Sequence, residues 1–120
     1  MTQPSNNGTR RVPVDALRLE LRRGTLVLAV LAALRTAMNG VAVRAALASA
    51  GLSIEEGALY PMLRRLEEQG LLQSEWRVEG IRNKRIYRIS KRGQEDYATL
   101  LAVWLEQNRG LRKLVGRDLP

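Results

Sequence analysis

The chain has 120 residues, enough for one domain and too few for two comfortable ones. It is 45% apolar but only 4% aromatic, with no Phe, so a core must be built from Leu, Val, Ala and Ile, which suits helices better than a β-sandwich. A formal net charge of +8 predicts an anionic partner, nucleic acid first, and the lack of Cys and His excludes disulfides, thiolate chemistry and the commonest general base and metal ligand.

No cofactor and no metal are therefore expected. The remaining carboxylates, Ser, Tyr and Lys form no recognisable catalytic arrangement, which makes an enzyme the weakest reading. A membrane surface would also suit the charge. The apolar run Leu26 to Leu34, however, is shorter than the roughly 20 residues a spanning helix needs. The polar N-terminus has no apolar signal region, and a cytoplasmic protein is expected. The basic residues are nearly all Arg, with Lys84, Lys91 and Lys113 the exceptions. Arg suits bidentate phosphate and guanine recognition, although a GC-rich coding bias gives the same composition.

In chain order, residues 1–12 mix Gln, Ser, Asn and Gly with other residues without periodicity and predict a disordered tail. Helical spacing begins after Asp15, a candidate N-cap, with Leu17, Leu21, Leu28 and Leu31 on one face, Val27 and Leu34 beside them, and Leu26 and Val30 toward the other side. Met38-Asn39-Gly40 reads as a turn. A short Ala-rich helix over Val41 to Ala50 should end at Gly51 in the left-handed conformation. Ser53-Ile54-Glu55-Glu56 has the form of a capping box. The helix it would open runs to Gln69 and stops at Gly70, with Leu59, Leu63 and Leu66 inward, Ala58 and Met62 beside them, and Tyr60, Arg64 and Arg65 outward. Pro61 lies inside it, one turn after Gly57, so a kink or a loose start is expected there.

Leu71 to Glu79 and Lys84 to Ser90 read as strands, joined at a tip of Gly80-Ile81-Arg82-Asn83. Trp76 is expected to pack as core. Ser90 should cap a last helix from Lys91 to Leu114. Tyr97, Leu101, Trp104, Asn108 and Leu111 recur on it with the spacing of a coiled-coil seam.

Two short helices joined by a tight turn and followed by a basic hairpin make a winged helix-turn-helix. The fold expected is mainly α with a small β-hairpin, a winged helix-turn-helix plus a C-terminal dimerisation helix. Its parts would be a tail over 1–12, a DNA-binding domain over 13–90, a dimerisation helix over 91–115 and a frayed tail over 116–120. The apolar seam of the last helix, paired with Leu17 and Leu21 of a second copy, is the expected dimer interface. Tyr60 and Arg64 share a face and could reach phosphates or a guanine edge, and Pro61 and Arg65 belong to the same candidate surface. The hairpin gathers Arg77, Arg82, Lys84, Arg85 and Arg88 against Glu75 and Glu79, and Arg82, Lys84 and Arg85 are its candidate DNA contacts. Pairing of Arg64 and Arg65 with Glu67 and Glu68 on a solvated helix is the plainer alternative.

The stretch Gly57-Ala58-Leu59-Tyr60-Pro61-Met62-Leu63-Arg64-Arg65-Leu66-Glu67-Glu68-Gln69-Gly70-Leu71-Leu72 resembles the motif of the PadR family of bacterial transcriptional regulators. Ser74-Glu75-Trp76 and Arg85-Ile86-Tyr87-Arg88-Ile89-Ser90 with Gly93 are similar to that family's wing. The resemblance covers roughly Leu21 to Leu114. It implies a homodimer, a palindromic double-stranded DNA operator, and repression relieved by a small molecule or stress signal. It also implies DNA contacts at Tyr60 and Arg64 and backbone contacts near Arg82 and Lys84. In short relatives an aromatic residue on the last helix lines a pore for flat molecules, so Trp104 is the effector candidate. The chain has Gly40-Val41 where the family usually has Gly-Tyr, and Ile86 where a first Tyr often stands. Two other functions fit the charge or the fold: an architectural DNA-binding protein without operator preference, and a winged-helix adapter for a protein partner.

Overall fold

The computed structural model describes residues 7–120. Helix α1 spans Asn7–Ala33, α2 Gly40–Ser49, α3 Glu56–Glu68 and α4 Lys91–Val115. Strands β1 (Met38–Asn39), β2 (Leu72–Glu79) and β3 (Arg82–Ile89) form one antiparallel sheet in the order β1-β3-β2. A 3-10 turn over Gly116–Asp118 follows α4, inside the stretch expected to fray.

The start of α1 corrects two expectations. Asp15 is not its N-cap, and the stretch expected as a tail is helical from Asn7; residues 1–6 of that stretch lie outside the described residues. The inward face of α1 also differs. Leu26, Val30, Leu31 and Leu34 are buried, whereas Leu17 and Leu21 are 62% and 79% exposed. The core takes Leu31 and Leu34 from the expected face and Leu26 and Val30 from the side opposite it.

The core joins the second half of α1 to Val43 and Leu47 of α2, to Leu59, Met62, Leu63 and Leu66 of α3, and to Leu72, Tyr87 and Ile89 of the sheet. Fully burying a Leu side chain contributes about 1.5–3 kcal/mol, and Leu31, Leu34, Leu59 and Leu63 are each fully buried. Ala58, expected beside this core, is exposed.

The segment Met38-Asn39-Gly40 is not a simple turn. Met38 pairs with Tyr87 and Asn39 with Ile86, and the Asn39 side chain then accepts from the Ala42 amide at 2.8 Å, capping α2. Both short helices end in the same way. Gly51 and Gly70 adopt φ of +78° and +82°. The amides of Leu52 and Leu71 reach back to the carbonyls of Leu47 and Leu66, at 2.8 and 2.9 Å, satisfying carbonyls the helix leaves open.

Ser53 does not cap α3. The cap is Glu55, with no side-chain cap bond. The reason lies in the preceding backbone: Ile54 is buried in the core, its carbonyl accepts from Arg44 Nε at 3.2 Å, and the Ser53 carbonyl accepts from Arg22. Arginines of α1 and α2 thus hold this segment, and the helix starts only beyond it.

Ser90 caps α4 as expected, accepting from the Gly93 amide at 2.9 Å and donating to the Gly70 carbonyl at 2.6 Å. Gly93 is buried so closely against the chain that a Cβ there would lie 2.1 Å from the Leu71 carbonyl oxygen. These contacts fix α4 to the junction of α3 and β2. Tyr97 still packs on the core, with Arg35 over its ring at 5.4 Å. Past Leu101, α4 is largely exposed.

Candidate nucleic-acid interface

Helix α3 is the second of two short helices and presents four distinct sides. Leu59, Met62, Leu63 and Leu66 face the core. At about 3.6 residues per turn, Gly57, Pro61, Arg64 and Glu68 form the strip opposite, and all four are exposed. Tyr60 and Glu67 lie on the flank toward the hairpin, and Arg65 lies on the flank toward α1. There it lines a groove with Leu19, Arg22, Arg23, Leu26 and Met62. Arg64 and Arg65, adjacent in sequence, therefore face different surroundings.

Pro61 lacks the amide that would bond to the Gly57 carbonyl, yet α3 continues through it. Tyr60 is half-buried and packs on the core. Its ring lies over Gly40, where a Cβ would come within 2.5 Å of Cε1. Gly at the start of α2 is thus the condition for Tyr60 to sit there.

Hairpin β2–β3 closes through a two-residue turn, since Glu79 pairs directly with Arg82. Gly80 has φ +65° and Ile81 does not have a positive φ, the pattern of a hairpin turn with Gly first. The tip is therefore Gly80-Ile81, two residues tighter than the sequence reading. Arg82 and Arg88 are exposed and, among the described residues, make no ion pair; the same holds for Arg64 and Arg65. Lys84 pairs with Glu79 at 3.3 Å. The alternative pairing of Arg64 and Arg65 with Glu67 and Glu68 is not found among the described residues.

Glu67 instead meets the hairpin. Its Oε2 accepts from Ser74 Oγ at 2.6 Å and its Oε1 from Arg85 Nη2 at 3.2 Å, while Arg85 Nε donates to Ser74 Oγ at 2.9 Å. The Arg85 guanidinium lies 5.5 Å from the centroid of Trp76 and 5.8 Å from that of Tyr87. Trp76 is not core: it is 64% exposed, because it stands on the part of β2 that extends past α3. Tyr87 beneath is buried. Burial pushes its phenol above the usual value, and the Arg85 guanidinium partly opposes the shift.

The sequence reading did not single out Glu67, Ser74 or Gly40 as site residues. The available signal was Ser74 two residues before Trp76, which places both on the face of β2 that meets α3. On α4, Trp104 is 39% exposed and borders a shallow hollow with Leu105, Asn108, Arg109 and Arg112. Asn108 spends its amide on the Trp104 carbonyl at 3.1 Å. No group of three or more acidic residues among the described residues could hold a metal ion, and no helix of the described residues is long and apolar enough to cross a membrane.

A helix pair, a following antiparallel hairpin and exposed arginines on both, Arg64 and Arg82, define a winged helix-turn-helix of the DNA-binding kind. The profile of the Transcriptional regulator PadR-like family matches residues 27–99, and the chain belongs to that family of transcriptional regulators. It is 40% identical to a PadR family transcriptional regulator from Eggerthella lenta DSM 2243, with 91% of this chain and 97% of that chain covered and a TM-score of 0.79. It is 41% identical over 64 residues to the transcriptional regulator Rv3488 of Mycobacterium tuberculosis, a match that spans about half of each protein, 53%. The fold is also similar to that of Bacillus subtilis PadR in complex with operator DNA, at 21% identity and a TM-score of 0.59, over 64% of this chain and 47% of that one.

Proposed function

We propose that two copies of the chain bind one palindromic operator in double-stranded DNA, in the cytoplasm, and repress the gene beside it. The observation that carries this reading is the pairing of Arg64 on the outer strip of α3 with Arg82 beside the hairpin tip. Both are exposed and without an ion pair among the described residues, on a chain of net charge +8. The fold shared with Bacillus subtilis PadR, solved with its operator, supports the same reading. Pro61 lies on the strip, Tyr60 borders it, and Lys84 lies near the tip. Arg65, turned toward α1, is a weaker candidate than its neighbour. Release by a small planar or hydrophobic molecule at Trp104 belongs to this proposal, supported by the partial exposure of that indole.

Substitution tests the assignment. Arg64→Ala should weaken operator binding by about 1–3 kcal/mol and relax sequence preference. Tyr60→Phe is the informative change at its position, because Tyr60→Ala would also remove the ring that packs on Gly40. Arg82→Ala should weaken binding evenly across sequences and reduce the salt slope by about one. Wild-type affinity in both Arg64→Ala and Tyr60→Phe would contradict the placement of the site.

A further inference from the structure

Arg85 belongs by sequence to the basic set of the hairpin, yet its surroundings are those of a structural arginine. Its charge is matched by Glu67, and Ser74 Oγ closes a three-way ring by accepting from Arg85 and donating to Glu67. The three groups come from three elements: Glu67 from α3, Ser74 from β2 and Arg85 from β3. Beyond this ring the hairpin is exposed, with Trp76 at 64%, Val78 at 69% and Ile81 at 101%. The bonds of Glu67 to Ser74 and Arg85 thus tie the hairpin to α3, and the stack of Arg85 on Trp76 braces the two strands against each other just beyond them.

We propose that Arg85 is a positioning residue rather than a phosphate ligand, and that the Glu67–Ser74–Arg85 ring sets the angle between the recognition helix and the wing. This rests on the DNA-binding reading above. Glu67 lies one turn after Arg64 on α3, and Arg85 shares β3 with Arg82 although on the other face of the strand, so the ring sets how the strand that carries Arg82 lies against the helix that carries Arg64. Glu67, a carboxylate beside a surface meant for phosphates, acquires a purpose: it holds Arg85 in place.

The two roles predict opposite signs. Were Arg85 a phosphate ligand, Glu67→Gln would remove a competing negative charge and tighten binding. As a positioning pair, Glu67→Gln and Arg85→Ala should each weaken binding by about tenfold, and the double variant should be no weaker than either single one. Each should also keep the wild-type dependence on salt, because no phosphate contact is lost. Arg85→Lys separates the roles again: a phosphate contact survives it, whereas the fork and the stack on Trp76 do not.

The experiment is an anisotropy titration of these variants on the duplex just upstream of the chain's own gene across a salt series. It is paired with acrylamide quenching of Trp76 in the DNA-free protein on a Trp104→Phe background. The expected result is weaker binding by all variants, an unchanged slope, and greater quenching of Trp76 in Arg85→Ala and Glu67→Gln alike. Tighter binding by Glu67→Gln, a slope reduced in Arg85→Ala, or quenching unchanged from wild type would overturn the proposal. If the wild-type chain binds no duplex at all, the DNA-binding reading fails, while quenching still decides whether the ring holds the hairpin.

Discussion

Gly93 is the residue whose substitution the geometry constrains most tightly. A Cβ would meet the Leu71 carbonyl at 2.1 Å, and that atom is backbone, so it cannot swing aside. Gly93→Ala should lower folding stability by about 1–3 kcal/mol or more in urea denaturation. Ser90→Ala should cost about 1–2 kcal/mol, since it loses the cap of α4 and leaves the Gly70 carbonyl without its donor. A midpoint unchanged in both variants would mean that α4 is not anchored at this junction. Ser90 is legible in the sequence because a hydroxyl directly before the helical pattern that begins at Lys91 is a favoured N-cap. Ser53 was misleading for a reason outside its own motif. The capping box is a local signal, and it lost to the burial of Ile54 and to the bonds that Arg22 and Arg44 make with the adjacent carbonyls.

At the scale of elements, the hairpin was found but its register was not. A four-residue tip would set Glu79 opposite Lys84, whereas the two-residue turn sets it opposite Arg82. A shift of two residues keeps every side chain on its face but changes its partner, so Trp76 lies opposite Arg85 and not Tyr87. Opposite Arg85, Trp76 stacks on a guanidinium and stays exposed instead of entering the core. Helix α1 failed differently. Its second half is apolar on nearly all sides, so periodicity could not choose the inward face, and the docking of α2 and α3 did.

The sheet also makes a prediction about pH. Burial raises the Tyr87 phenol above its ordinary value of 10.0. The folded state therefore favours the neutral phenol. The stability this provides is fully present below the unfolded pKa and is lost as pH rises through the folded one. Denaturation midpoints of the wild type should fall as pH rises above about 10, and Tyr87→Phe should lack that share of the fall. An identical fall in both would show that Tyr87 does not titrate with unfolding.

Viewed whole, the molecule is elongated, 65 × 32 × 27 Å, because α1 and α4 both run beyond the core. Both expose apolar residues. Leu17 and Leu21 are open on α1, and Trp104 and Leu111 are 39% and 57% exposed on α4. A free monomer seldom leaves so much apolar surface in water, which supports the proposed homodimer through the seam of Tyr97, Leu101, Trp104, Asn108 and Leu111. Sedimentation should give a dimer for the wild type and a monomer for Trp104→Glu with Leu111→Glu. A wild-type monomer at working concentration would remove the paired site.

The most direct test of the central claim is an anisotropy titration of the full chain against the duplex just upstream of its own gene, with random duplex as competitor and salt varied. The expected result is two subunits per site, resistance to competitor, and affinity that falls steeply as salt rises. Equal binding to both duplexes would contradict operator recognition and favour an architectural role. Salt-insensitive behaviour with no preference for DNA would contradict DNA binding itself and leave the fold as an adapter for another protein.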